Sequence, residues 1–276
     1  MNFKKYIPIF IKYLSQVSST LAARVAVNLF LTPKRYERLP AEQFFWSSGR
    51  PITFASGCKG RVFGDSQSSD DKIIWFVHGW ESRSSRFEVF IEASITAGYQ
   101  VIAWDGPAHG DSGGKRTNIL EFANFLCQDA LAFSDLPIHT LVGHSFGAGA
   151  CAYACLHGFR VKNLVLISAP SSVRNVFERF WQTIQLGDKA KKEFIKQVER
   201  DANITVDEIS LVHFISKLSQ NIVLIHDHDD KEIPIAEAEE LKQINPEITL
   251  IKTEKLGHRR ILGSKDLALK LMQTLG

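Results

Sequence analysis

The chain has 276 residues, of which 45% are hydrophobic and 23% charged, enough to bury one large core and better suited to a single domain with an insertion than to two independent ones. Residues 1–36 hold six basic side chains and no acid against a net charge of +3 for the whole, so the other 240 carry −3, which argues against a nucleic-acid surface on the body. Cys58, Cys127, Cys151 and Cys155 show no C-x-x-C spacing and read as reduced, mostly buried thiols of a cytoplasmic protein.

From residue 1 to 35, Phe3, Ile7, Ile11, Leu14, Val17, Leu21, Val25 and Leu29 recur at three- and four-residue steps, which predicts one long amphipathic helix. Lys12, Gln16 and Arg24 interrupt it, so it is no membrane span, and it lacks the apolar core and cleavage site of a signal peptide. Two roles are open to its stripe: packing on the body or on a second subunit as a homodimer, or resting with its basic flank on an anionic membrane surface.

Residues 51–63 alternate in the manner of a hairpin, with Ile52, Phe54, Val62 and Phe63 divided by Gly57 and Gly60, and 64–71 is a polar turn. Apolar strands are then expected at 73–77, 100–104, 140–142, 164–167, 222–225 and 248–251. Helices are expected at 85–97, 119–133, 146–157, 236–244 and 265–275. That alternation is the mark of an α/β protein with a mostly parallel sheet. It stops over 171–219, a charged helical block with Phe177, Phe180, Trp181 and Ile184 on one stripe and Phe194, Ile195 and Val198 on another. The expected organisation is a helical segment at 1–50, a core of 51–170 and 220–276, and an inserted helical lid at 171–219.

Chemistry concentrates where the strands end. The third of these strands runs into Gly143-His144-Ser145-Phe146-Gly147 followed by a small-residue stretch, the strand-turn-helix context of a nucleophile elbow. A serine hydroxyl is a poor nucleophile until a base takes its proton. Acids follow the fifth strand in His226-Asp227-His228-Asp229-Asp230, and a histidine follows the sixth in Gly257-His258-Arg259-Arg260. The order serine, acid, histidine is that of a hydrolase triad, with Asp227, Asp229 and Asp230 all open as the acid. Alternating His and Asp at 226–229 resembles a metal cluster, but no third histidine follows at a suitable spacing, so no metal is expected. His78, His109 and His144 are read as turn-fixing residues, and Arg259 and Arg260 as surface contacts.

With His78-Gly79-Trp80 after the first strand and Asp105-Gly-Pro-Ala-His-Gly-Asp-Ser after the second, the chain resembles the α/β-hydrolases, in particular a bacterial serine-hydrolase branch. The resemblance covers roughly 72–170 and 220–276. It implies Ser145 as nucleophile, His258 as general base, and Asp230 as orienting acid because Ile233-Pro234 follows it at the family spacing. Backbone N–H groups of Phe146 and Trp80 are the implied oxyanion donors, and 171–219 takes the position of the family's cap. Trp80, Phe146, Phe180 and Trp181 are then the candidate pocket walls, although the last two could merely bind lid to core. The expectation is an esterase acting on a small-molecule ester or thioester without a cofactor. A C–C-bond hydrolase and a silent apolar-ligand-binding protein are the alternatives, whereas a dehalogenase would carry a carboxylate at the elbow.

Overall fold

The computed structural model describes residues 6–64, 72–133 and 138–275. The expected turn at 64–71, beyond Gly64, lies outside the described residues, as do Phe3, Lys4 and Lys5. The strands are β1 (Arg50–Thr53), β2 (Lys59–Phe63), β3 (Ile73–Val77), β4 (Gln100–Asp105), β5 (Ile138–His144), β6 (Asn163–Ile167), β7 (Asn221–Asp227) and β8 (Thr249–Thr253). They form one sheet in the order β1-β2-β4-β3-β5-β6-β7-β8. The pairs β1–β2 and β2–β4 are antiparallel and the rest parallel, as the hairpin and the apolar runs require.

The helices are α1 (Ile7–Val17), α2 (Ser19–Phe30), α3 (Pro40–Ser48), α4 (Glu88–Thr96), α5 (Ile119–Ala130), α6 (Phe146–Leu156), α7 (Val173–Ile184), α8 (Asp188–Ala202), α9 (Leu211–Phe214), α10 (Ile235–Ile244), α11 (Gly257–Arg260) and α12 (Lys265–Leu275). Strand side chains alternate between two cores because successive Cβ atoms point to opposite faces. Ile73, Trp75 and Val77 of β3 enter the cluster that also holds Phe122, Leu126 and Ala150 from α5 and α6. Ile74 and Phe76 enter the one that holds Phe90 and Leu271 from α4 and α12.

The amino-terminal helix expected as one piece is two. Ser18 is extended (φ −152°, ψ 104°), and its hydroxyl accepts the Leu21 N–H as the N-cap of α2. The break turns the chain back on itself, so Val17 and Leu21 leave the packed stripe and are 85% and 48% exposed. The inner faces, with Ile11, Ala22, Ala23, Ala26 and Val27, close a third cluster with Phe177, Trp181, Ile184 and Phe194 of α7 and α8. The stripe's partners are therefore α7 and α8.

The chain then passes beside the loop after β4 and is fastened there by arginines. Arg35 donates to the carbonyls of Gly110, Ser112 and Gly114. Arg38 bridges Asp105 at 2.9 Å and Asp111, and the buried Arg83 pairs with Glu42 of α3.

Candidate active site

The neighbours of β3, namely β4 and β5, lie on its two sides, so the connections after β3 diverge and leave a crevice at the carboxyl ends. Ser145 stands at the end of β5 with φ 53° and ψ −119°, a conformation that a side-chain-bearing residue adopts only under constraint. The flanking glycines supply the room. A Cβ on Gly143 would lie 2.6 Å from Ala148 Cα, and one on Gly147 would collide with the His78 carbonyl oxygen. Strand, turn and α6 could not approach so closely otherwise.

His258 comes from α11, on the far side of β8. Its Nε2 is 3.0 Å from Ser145 Oγ and its Nδ1 2.8 Å from Asp230 Oδ2. With Nδ1–H donated to the carboxylate, the Nε2 lone pair faces the serine hydroxyl. Asp230 Oδ1 accepts the N–H groups of Glu232 and Ile233, both at 2.9 Å. Burial opposes its ionisation, but the bonds from His258, Ile233 and Glu232 outweigh burial and hold the carboxyl below its ordinary range.

The other two candidate acids have different work. Asp227 accepts Thr253 Oγ1–H and the N–H groups of Asp229, Leu256 and Gly257, so it clamps the loop that carries His258. Against burial, those donors also keep its carboxyl below the usual range. Asp229 accepts the Lys255 N–H at 2.7 Å. His226 donates Nε2–H to the Ile233 carbonyl, so the 226–229 run is divided among separate hydrogen bonds.

Three buried histidines hold the turns round the serine. His78 donates Nδ1–H to the Gly79 carbonyl and accepts the Gly106 N–H at Nε2. His109 donates to the Pro107 carbonyl and accepts the Glu81 N–H. His144 donates Nε2–H to the His258 carbonyl at 2.8 Å, tying the elbow to α11. Burial lowers their pKa values to about 4, about 3 and about 3 respectively, so at neutral pH they are uncharged and these bonding patterns are fixed.

The N–H groups of Trp80 and Phe146 have no protein acceptor among the described residues. Phe146 opens α6, where amides lack intrahelical partners. A Cβ on Gly79 would lie 3.2 Å from Ser145 Cβ, so the Trp80 loop runs beside the serine. Its turn is completed by Glu81 at φ 52°.

Aromatic rings cluster beside the elbow. Trp80 meets Phe146 edge-on at 5.0 Å, and Phe122 meets Phe146 at 4.9 Å. Phe30, the last residue of α2, stacks on Trp80 at 6.2 Å and reaches Phe180 at 5.1 Å. Sequence reasoning missed Phe30, because it sits one position off the stripe read from the periodicity. Trp181 is a correction. It is 2% exposed among Phe177 and Phe194 in the seam with α1 and α2, and the open cleft it borders is lined by Lys12, Ser15 and Gln185, away from the serine.

Comparison with known proteins bears on the family and the fold. A family model described as "Serine aminopeptidase, S33" matches residues 68–225, more than half of the chain; the matched stretch includes Trp80 and Ser145 and ends before Asp230 and His258. A Mycoplasma genitalium protein provisionally named esterase/lipase 3 is 27% identical over 186 residues. The match takes in 63% of this chain and 64% of that relative, so the chain spans less than two thirds of the relative's length. Among solved structures, an esterase of Pyrococcus furiosus superposes with a TM-score of 0.65 at 19% identity, covering 89% of this chain and 97% of that one. An esterase from Exiguobacterium antarcticum gives 0.61 at 18%, covering 82% and 99%. At such identities the likeness is one of fold.

Proposed function

The chain belongs to the serine aminopeptidase S33 family of α/β-hydrolases, and on that premise we propose that it is a serine hydrolase cleaving a carboxylic ester through an acyl-enzyme. The observation that carries the proposal is the 3.0 Å approach of His258 Nε2 to Ser145 Oγ, with Nδ1 held by Asp230. In the proposed reaction His258 takes the Ser145 proton as Oγ bonds to the ester carbonyl carbon, and the carbonyl electron pair moves to oxygen. The N–H groups of Phe146 and Trp80 hold that oxyanion, each such donor being worth about 10²- to 10³-fold in rate. The intermediate collapses, the alcohol leaves with the proton from His258, and water repeats the sequence to free the acid. Asp230 keeps the ring in the tautomer that leaves Nε2 free and stabilises the imidazolium.

An ester is favoured over a peptide by the esterase names of the Pyrococcus and Exiguobacterium structures and of the Mycoplasma relative. The aromatic walls agree, since Phe30, Trp80, Phe146 and Phe180 suit an apolar acyl or alcohol group. A thioester carbonyl would follow the same route. In this reading 171–219 is a lid, and α2 completes it by supplying Phe30.

A fluorophosphonate probe together with p-nitrophenyl ester turnover tests the proposal. The wild type should label at Ser145, and Ser145→Ala or His258→Ala should lose label and at least about 10⁴-fold in turnover. An unlabelled wild type would mean a pocket that binds without chemistry; full turnover in Ser145→Ala would remove the serine mechanism.

A further inference from the structure

The apolar stripe of helix α1 is wider than its buried seam, with Lys12, Ser15 and Gln16 confined to the remaining side. Ile7, Ile11 and Leu14 are spent on the seam with the inserted block. Tyr6, at its cap, and Ile9, Phe10, Tyr13 and Val17 recur at three- and four-residue steps beside that seam, and are 54%, 50%, 57%, 63% and 85% exposed. Leu21, beyond the Ser18 break, adds to them at 48%. Single exposed apolar residues need no account, but five of them side by side on one helix form a contiguous patch that is ordinarily covered. We propose that this outer face docks on an anionic phospholipid bilayer.

Charge selects that occupant. No acid occurs in residues 1–36, and Lys12 and Arg24 are exposed with no carboxylate partner among the described residues. Lys12 also lines an open cleft with Lys189 and Lys191 at the start of α8; Lys191 is paired with Asp188, which leaves Lys12 and Lys189 facing outward. Arg35 is occupied by protein carbonyls and is not counted. A second copy bringing the same face across a two-fold axis would set two acid-free amino-terminal segments, each with Lys12 and Arg24 uncompensated, against each other. Lipid phosphates neutralise them instead. The face suits the headgroup boundary in kind as well, with the tyrosines at headgroup depth and Ile9, Phe10 and Val17 among the acyl chains. The contact is peripheral: no described helix is long and apolar enough to cross a membrane. This reading stands apart from the proposed hydrolase activity.

The test is co-sedimentation of the full chain with phosphatidylcholine vesicles containing about 30% phosphatidylglycerol, against phosphatidylcholine alone. The wild type should bind the anionic vesicles and be released at about 0.5 M salt. Phe10→Ser/Val17→Ser should lower binding at least about tenfold, with little change in melting temperature because both side chains are mostly exposed. Lys12→Glu/Arg24→Glu should weaken binding to the anionic vesicles alone. The proposal falls if the wild type leaves anionic vesicles unbound or if the serine variant binds as well as the wild type. It also falls if the chain is a dimer that the serine variant turns into monomers while no vesicle binds, since the face would then be a contact between copies.

Discussion

Asp227 and Asp230 leave the same strand end three residues apart, and hydrogen bonds separate their tasks. Asp230 spends one oxygen on two amides and the other on His258. Asp227 spends both on Thr253 and the backbone leading to His258. The consequence is a double prediction. Asp230→Asn should keep the fold but lower ester turnover by about 10⁴-fold, because an amide no longer enforces the tautomer that leaves Nε2 free. Asp227→Asn turns an NH2 donor towards N–H and O–H donors and should cost about 2–4 kcal/mol in urea unfolding. The folded Asp227→Asn enzyme should retain turnover within about tenfold, since the base and its partner remain. Equal losses of turnover in the two variants would assign both carboxylates to one task.

At the scale of elements, what neighbouring residues impose was readable in the sequence, and what distant residues impose was not. The apolar runs located β3 through β8 to within a few residues, the differences lying at ends where pairing with the adjacent strand extends the ladder, as at Ile138 and Asp227. The elbow was equally legible as a local pattern, since Gly143 answers to Ala148 five residues on, although the clash that requires Gly147 is with the distant His78 carbonyl. The break at Ser18 left only a faint local mark, the run Ser18-Ser19-Thr20 of capping residues, inside a periodicity that continues across it. Nor could periodicity name the partner of a stripe, which is why Phe30 and the seam with α7 and α8 appear only in three dimensions. That seam makes a prediction about truncation. Deleting residues 1–30 removes Ile11, Ala22, Ala26 and Val27 from against Phe177, Trp181 and Phe194, uncovering an aromatic face larger than a soluble monomer ordinarily tolerates. The truncated chain should bind a hydrophobic dye and elute as aggregate in size-exclusion chromatography. A clean monomer would mean that the inserted block holds its shape without the hairpin.

Across the whole molecule the buried histidines tie stability to pH. His78, His109 and His144 are held uncharged chiefly by burial, at pKa values of about 4, about 3 and about 3, and burial lowers those of His139 and His226 as well. An unfolded histidine titrates near 6.5, so between that value and the folded one the unfolded chain binds more protons. The stabilisation is therefore complete above about pH 6.5 and is lost as the pH falls towards the folded values. From pH 7 to pH 5 each of the first three histidines should withdraw about 2 kcal/mol, roughly 5–6 in all, against a total stability on the order of 5–15 kcal/mol. The carboxylates of Asp227 and Asp230 act in the same direction, but only lower, as the pH enters the carboxylate range and falls through their depressed folded values. Acid unfolding should thus begin while most carboxylates are still ionised. Urea unfolding at pH 7 and pH 5 measures the loss directly, and His109→Gln, whose amide can still donate to Pro107 and accept from Glu81, should reduce it by about a third. A stability unchanged between those two pH values would mean that the histidines accept protons without leaving the folded state.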